Sequence, residues 1–200
     1  MEPDPLRVRP DPTAMGDARA SELLRIVRGS PALDRALGAL ATLGLPAGAV
    51  AAGAVVGTVW NALTGRDAHH GIADLDVVYF DAENPHAEEE ARARLETLLG
   101  PRFPWPIEVV NQARVHEWYE AHFGYAVRPF TSVLDAMHHW PTTTTAIALA
   151  PDGNVNAPFG LEDLFALRVR PNRALASEAT YRRKTERWRA LWPEIEVVAW

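Results

Sequence analysis

The segment Asp74-Leu75-Asp76-Val77-Val78-Tyr79-Phe80 constrains the fold more than any other stretch of the 200-residue chain. Its Val, Tyr and Phe content predicts a strand over 74–80. In a strand, alternate side chains share a face, so Asp74 and Asp76 point the same way, about 7 Å apart. Leu75 and Val77 then face a core. Two carboxylates on one strand face repel each other unless something cationic stands between them. Two-metal sites, with ions about 3.5–4 Å apart, use carboxylates that bridge or flank the ions. Taken alone, a D-x-D pair equally describes the solvated face of an edge strand.

Two further features change the odds. Glu108 sits between Ile107 and Val109 in the next predicted strand, 106–110, one helix after the aspartates. Its apolar neighbours predict an acid set on a largely buried strand, and either a parallel or an antiparallel pairing would bring it opposite the pair. Upstream, Gly53-Ala54 falls where a short apolar strand over 47–52 turns into a helix over 54–63. A glycine there lets a phosphate approach the backbone, and the helix start supplies free N–H donors. A tight turn would also explain Gly53; the combination with three carboxylates is what points to phosphate chemistry.

Around this centre the pattern reads as helices over 20–27, 32–43, 84–100, 114–122, 132–139, 160–167 and 177–192. Asp152-Gly153 predicts a β-hairpin within 146–155. The alternation of strand and helix across 47–110 predicts an α/β (α+β) fold, a small mixed sheet flanked by helices, completed by further helices and the hairpin. We expect residues 1–19, rich in Pro and Asp, to be a disordered lead-in. Residues 20–200 then form a single domain, with a catalytic core over about 45–112 and a completing part over 113–200.

Composition limits the chemistry. With no cysteine, thiolate sites are excluded, and an oxygen or imidazole site favours Mg²⁺ or Mn²⁺ over structural zinc. No apolar run approaches the roughly 20 residues a membrane span needs. The N-terminus lacks a signal-peptide core, so the expected compartment is the cytoplasm. Net charge is −6, and Lys184 is the only lysine. That balance argues against a protein built to grip RNA. The arginine bias, with abundant Ala and Pro, matches the coding of a GC-rich bacterium.

The segments Ala52-Gly53-Ala54-Val55, Val59-Trp60-Asn61-Ala62-Leu63, Gly65 and Asp74 to Asp81 resemble bacterial nucleotidyltransferase-like proteins once known only as a domain of unknown function. The resemblance continues through Val110 to His116, Trp140-Pro141-Thr142 and Ala157 to Phe165, nearly everything after about residue 25. The first half also resembles the catalytic core of tRNA nucleotidyltransferases, within the DNA polymerase β superfamily. The resemblance implies the nucleotidyltransferase fold, a metal triad of Asp74, Asp76 and Glu108, and a nucleotide-phosphate motif at Gly53 and Ala54. It implies transfer of an NMP group from an NTP such as ATP to a hydroxyl acceptor, with release of pyrophosphate.

Two departures stand out. The arginine that usually follows the glycine motif is replaced by Val56 or Gly57, and Asn61 stands where an aspartate is usual. Arg66 and Arg114 are therefore the expected cations for the triphosphate, although Arg114 suits a structural ion pair as well. The alternative function is a nucleotide-binding or scaffold protein that keeps the fold without catalysis. A small molecule or a protein side chain is the expected acceptor, ahead of RNA.

Other polar groups read more plainly. His69-His70 overhang the site or form an exposed pair, and His138-His139 complement a helix end. Thr142 to Thr145 offer hydroxyls to a ligand or solvate a strand. Arg182-Arg183-Lys184 reads as a solvated helix face. Tyr181, Thr185, Trp188 and Trp192 are expected to face inward.

Overall fold

The computed structural model describes residues 12–84 and 87–200. Residues 1–11 of the expected lead-in, and Pro85 at the expected start of the fourth helix, lie outside them. The first helix, α1 (Pro12–Arg28), begins ahead of the expected start at residue 20. Helix α2 (Pro31–Leu43) starts with Pro31 in its first turn, where the missing N–H costs nothing. It ends at Gly44, whose left-handed backbone returns its N–H to the Leu40 carbonyl.

Five strands form the main sheet. β1 (Ala49–Ala51), β2 (Leu75–Tyr79), β3 (Ile107–Asn111), β4 (Ala148–Leu149) and β5 (Val155–Asn156) lie in the order β3-β2-β1-β4-β5. β2 and β3 are parallel, and the other neighbours are antiparallel, so the sheet is mixed. The expected hairpin is β4–β5, with Gly153 taking the positive φ of its turn. Helix α3 (Ala52–Thr64) follows β1 and α4 (Ala87–Leu99) joins β2 to β3. Then come a 3-10 turn at Gln112–Arg114, α5 (Val115–Phe123), α6 (Val133–Met137), α7 (Glu162–Phe165) and α8 (Glu178–Leu191). β6 (Arg168–Val169) and β7 (Glu196–Val197) make a separate parallel pair that the sequence reading does not foresee, each being two residues long.

The period of two divides the sheet faces as the sequence predicts. Leu75, Val77 and Ile107 enter the main core with α1 to α4, and Tyr181 and Trp188 of α8 and Trp192 just after it join them. Trp60 of α3 packs edge-on against Trp192, with ring centroids 5.2 Å apart, and its indole N–H donates to the Leu164 carbonyl. Helix α8 is thereby clamped to the α3 side of the sheet. Ser177 caps α8 by accepting the Thr180 N–H. The opposite sheet face carries Ala49, Ala51, Val78 and Ala148, covered in part by Val133 and Met137 of α6. Asp76 and Glu108 stand on that second face.

Candidate active site

The parallel register of β2 and β3 sets Asp76 directly opposite Glu108, a strand spacing of about 4.8 Å. Ala51 is the partner of Asp76 on its other side. Its methyl leaves space above the sheet where a longer side chain would fill it. Asp74 lies one residue before β2, two positions from Asp76. A β-carbon added at Gly53 would lie 4.0 Å from carboxylate oxygens of both Asp74 and Asp76. The start of α3 therefore stands over the two aspartates, and the Gly53 N–H donates to Asp76. Ala52, at the junction, holds a left-handed φ of 48° that a non-glycine residue adopts only under strain. This kink aims the helix start at the carboxylates. Ala54 is fully buried, so only its backbone faces the site.

Burial first, then the charges of Asp74 and Glu108, push the Asp76 carboxyl up to about 6. Lys184 and the Gly53 N–H act against that rise. Asp76 is half-buried, whereas Glu108 is exposed on β3, the edge strand. This corrects the expectation of a largely buried position: Ile107 faces the core, but Glu108 projects from the open face. Among the described residues, no three acidic or imidazole groups stand in ready-made ligand geometry. The chemistry nonetheless fits a divalent cation. The donors are all oxygens, their mutual repulsion raises Asp76, and the exposed Glu108 side chain is free to turn.

The cations come from a different place than expected. Arg66 makes a two-pronged ion pair with Glu194, both contacts at 2.9 Å. It lies beyond the far end of α3 from Gly53, about 20 Å along the helix axis. Arg114 pairs with Glu117 and lies past the C-terminal end of β3, whereas the carboxylates cluster near the strand starts. Neither arginine is brought to the carboxylates. Helix α8 instead sets cations near the carboxylates. Arg187 lines a small cavity of about 20 Å³ together with Gly53, Gly57, Asp74 and Thr145. Although solvent reaches much of Lys184, desolvation holds its ammonium below the ordinary value. Asp76 and Asp74 pull the other way, and Arg187 and Arg183 add to the depression.

Sequence reasoning missed these residues because it took the basic run for a solvated face. The available signal was spacing: Arg183, Lys184 and Arg187 share one helix face beside the inward stripe of Tyr181, Thr185 and Trp188.

The departures from the glycine motif also have structural reasons. Val56 is buried, and a β-carbon at Gly57 would meet Ile72 at 2.8 Å, so neither position has room for a cation. Asn61 is buried and donates its amide to the carbonyls of Ala68 and His70, while its oxygen accepts the Trp192 indole N–H at 2.8 Å. It closes the loop between α3 and β2 onto α8. An aspartate cannot donate those two bonds.

The remaining candidates serve packing. His69 stacks edge-on against Trp105, and His70 against Trp192 with its ring nitrogen at the Leu191 carbonyl. His138 and His139 bond carbonyls of α6. Thr142 and Thr145 bond each other, and Thr144 donates to the Arg168 carbonyl.

Comparison with known proteins agrees with this fold. The sequence profile of a family described as nucleotidyltransferase matches residues 38–197. A solved NMR structure described as a CCA-adding enzyme head domain superposes with a TM-score of 0.69 at 27% identity, covering 90% of this chain and 96% of that one. The Bacillus stearothermophilus CCA-adding enzyme in complex with CTP gives a TM-score of 0.44 at 19% identity. That alignment covers 79% of this chain and 37% of the enzyme's. Among curated proteins, none matches. The family match spans most of the chain, including β1 to β3, α3 and α8, and this chain belongs to the nucleotidyltransferase family.

Proposed function

We infer that the chain catalyses metal-dependent transfer of an NMP group from an NTP to a hydroxyl acceptor, releasing pyrophosphate. The observation that carries this reading is the pairing of Asp76 with Glu108 across β2 and β3, with Asp74 beside them and the α3 start above. Asp74, Asp76 and Glu108 would hold Mg²⁺ or Mn²⁺, which when bound neutralises phosphate charge and acidifies the acceptor hydroxyl. The backbone N–H groups at the α3 start orient the phosphates. Arg187 and Lys184 add positive charge from α8 in place of the absent motif arginine. Glu108, exposed at the sheet edge, is placed to accept the proton of the acceptor hydroxyl.

The name of the similar head domain brings CCA addition into consideration. The acidic balance and single lysine of this chain favour a small molecule or a protein side chain instead. No helix among the described residues is long and apolar enough to cross a membrane.

Calorimetric titration with each NTP, in Mg²⁺ and in EDTA, tests the reading. Binding should require Mg²⁺ and fall at least tenfold in Asp76→Asn. Equal affinity in EDTA would contradict it. Mg²⁺-dependent binding unaffected by Asp76→Asn would favour a non-catalytic nucleotide-binding protein.

A further inference from the structure

The sheet face that carries Asp76 and Glu108 continues through Val110 into a cleft of about 750 Å³ between α5, α6 and the first turns of α8. Its wall is aromatic: Trp118, Tyr119, Phe123 and Tyr125, with Phe130 and Trp140 across from them. Trp118, Phe123 and Tyr125 are 40%, 42% and 37% exposed, three of the large apolar side chains that folding leaves uncovered. Their concentration in one concavity marks a binding surface. Arg183 and Lys184 line the cleft on the α8 side, and among the described residues no Asp or Glu lines it.

The position of the cleft identifies its occupant. Gly53 borders Asp74 and Asp76, and the small cavity at its foot shares no lining residue with the cleft. Gly53 and Asp74 line that small cavity whereas Glu108 does not, so donor phosphates held at the α3 start lie away from the Glu108 edge. In-line transfer places the attacking oxygen on the opposite side of the α-phosphorus from the leaving pyrophosphate. Val110, two residues after Glu108 in β3 and on the same sheet face, lines the cleft, so the cleft opens beside Glu108 on that opposite side.

We propose that this cleft is the acceptor subsite and takes a small planar hydroxyl compound, neutral or anionic. The assignment rests on the nucleotidyl-transfer reading. The acceptor oxygen bonds to the α-phosphorus of the NTP, and the bond from that phosphorus to the bridging oxygen breaks. Pyrophosphate leaves, and the hydroxyl proton passes to the Glu108 carboxylate. Aromatic walls select a planar body by stacking. The cationic rim suits a neutral or negative substituent and repels the ammonium groups of a polyamine.

The probe is 4-methylumbelliferone, a planar fluorescent phenol, titrated into the full chain by fluorescence anisotropy with and without MgATP. The proposal expects saturable binding that MgATP does not displace. It expects binding about tenfold or more weaker in Trp118→Ala, the scale of one lost stacking contact, with MgATP affinity retained. Phe123→Ala serves as a second variant, since both side chains are exposed. With [α-³²P]ATP and Mg²⁺, label should appear on the phenol.

Competitive displacement of the probe by MgATP would make the cleft the nucleobase site and overturn the assignment. Displacement by kanamycin, a polycation, or by transfer RNA at submicromolar concentration would overturn it too, in favour of a cationic or an RNA acceptor. Probe binding unchanged in both variants would also overturn it. If the probe binds but no NTP does, nucleotidyl transfer itself fails, and the acceptor role falls for that separate reason.

Discussion

Asp76 concentrates the electrostatic conflict of the site in one residue. Its carboxyl is raised to about 6 by burial and by Asp74 and Glu108, so the folded state holds a proton that the unfolded chain has lost above about pH 4. At Asp76 the folded form binds more protons in that interval, and the contribution of this residue to stability falls as pH rises from about 4 to 6 and then levels off. Asp76→Asn removes this penalty. In EDTA the variant should match the wild type near pH 4 and exceed it by at most about 3 kcal/mol at pH 7, measured by urea unfolding across pH. A variant less stable than wild type at pH 7 would show that Asp76 serves the fold. Asn61 is the opposite case, a polar group fully used by the structure. Asn61→Asp sets a carboxylate against the carbonyls of Ala68 and His70 and should cost about 3 kcal/mol or more, seen as a lower thermal midpoint.

Among the elements, α8 changes the account most. Its apolar stripe docks it onto Trp60, and the adjacent stripe then faces the carboxylates with Lys184 and Arg187. Arg187→Ala should weaken MgATP binding by about tenfold or more, the scale of a charge-assisted phosphate contact, while Arg66→Ala should not. Calorimetry on the two variants decides between the cations. The strands β2 and β3 were legible in advance because alternation and β-branched composition are local signals, and so were the inward residues of α8; that the two strands pair in parallel was not, since pairing is not local. The role of Lys184 was not legible, because α8 reaches the site through packing about a hundred residues after Asp76. A basic run reads the same on any exposed helix. The expectation for Arg66 and Arg114 rests on closeness in sequence to the motif, and the fold sets them in ion pairs with Glu194 and Glu117. The early start of α1 and the pair β6–β7 also escaped, since Pro12 begins a helix of modest periodicity and two-residue strands leave no pattern.

At the scale of the molecule, the mixed sheet divides labour between its faces. One face is closed by α1 to α4 and the tryptophans of α3 and α8. The other stays open over Asp76 and Glu108, with the α3 start on one side and the aromatic cleft on the other. That division lets the core tolerate a strained junction at Ala52 and a cluster of like charges, because neither lies in the main hydrophobic cluster. In the proposed reaction Asp74, Asp76 and Glu108 gather a divalent cation beneath the α3 start. Paramagnetic broadening of backbone amide resonances by Mn²⁺, in the presence of ATP, tests it most directly. The strongest broadening should centre on Gly53, Ala54, Asp74, Asp76 and Glu108, and vanish in Asp76→Asn. Broadening centred elsewhere, or unchanged in that variant, would contradict it.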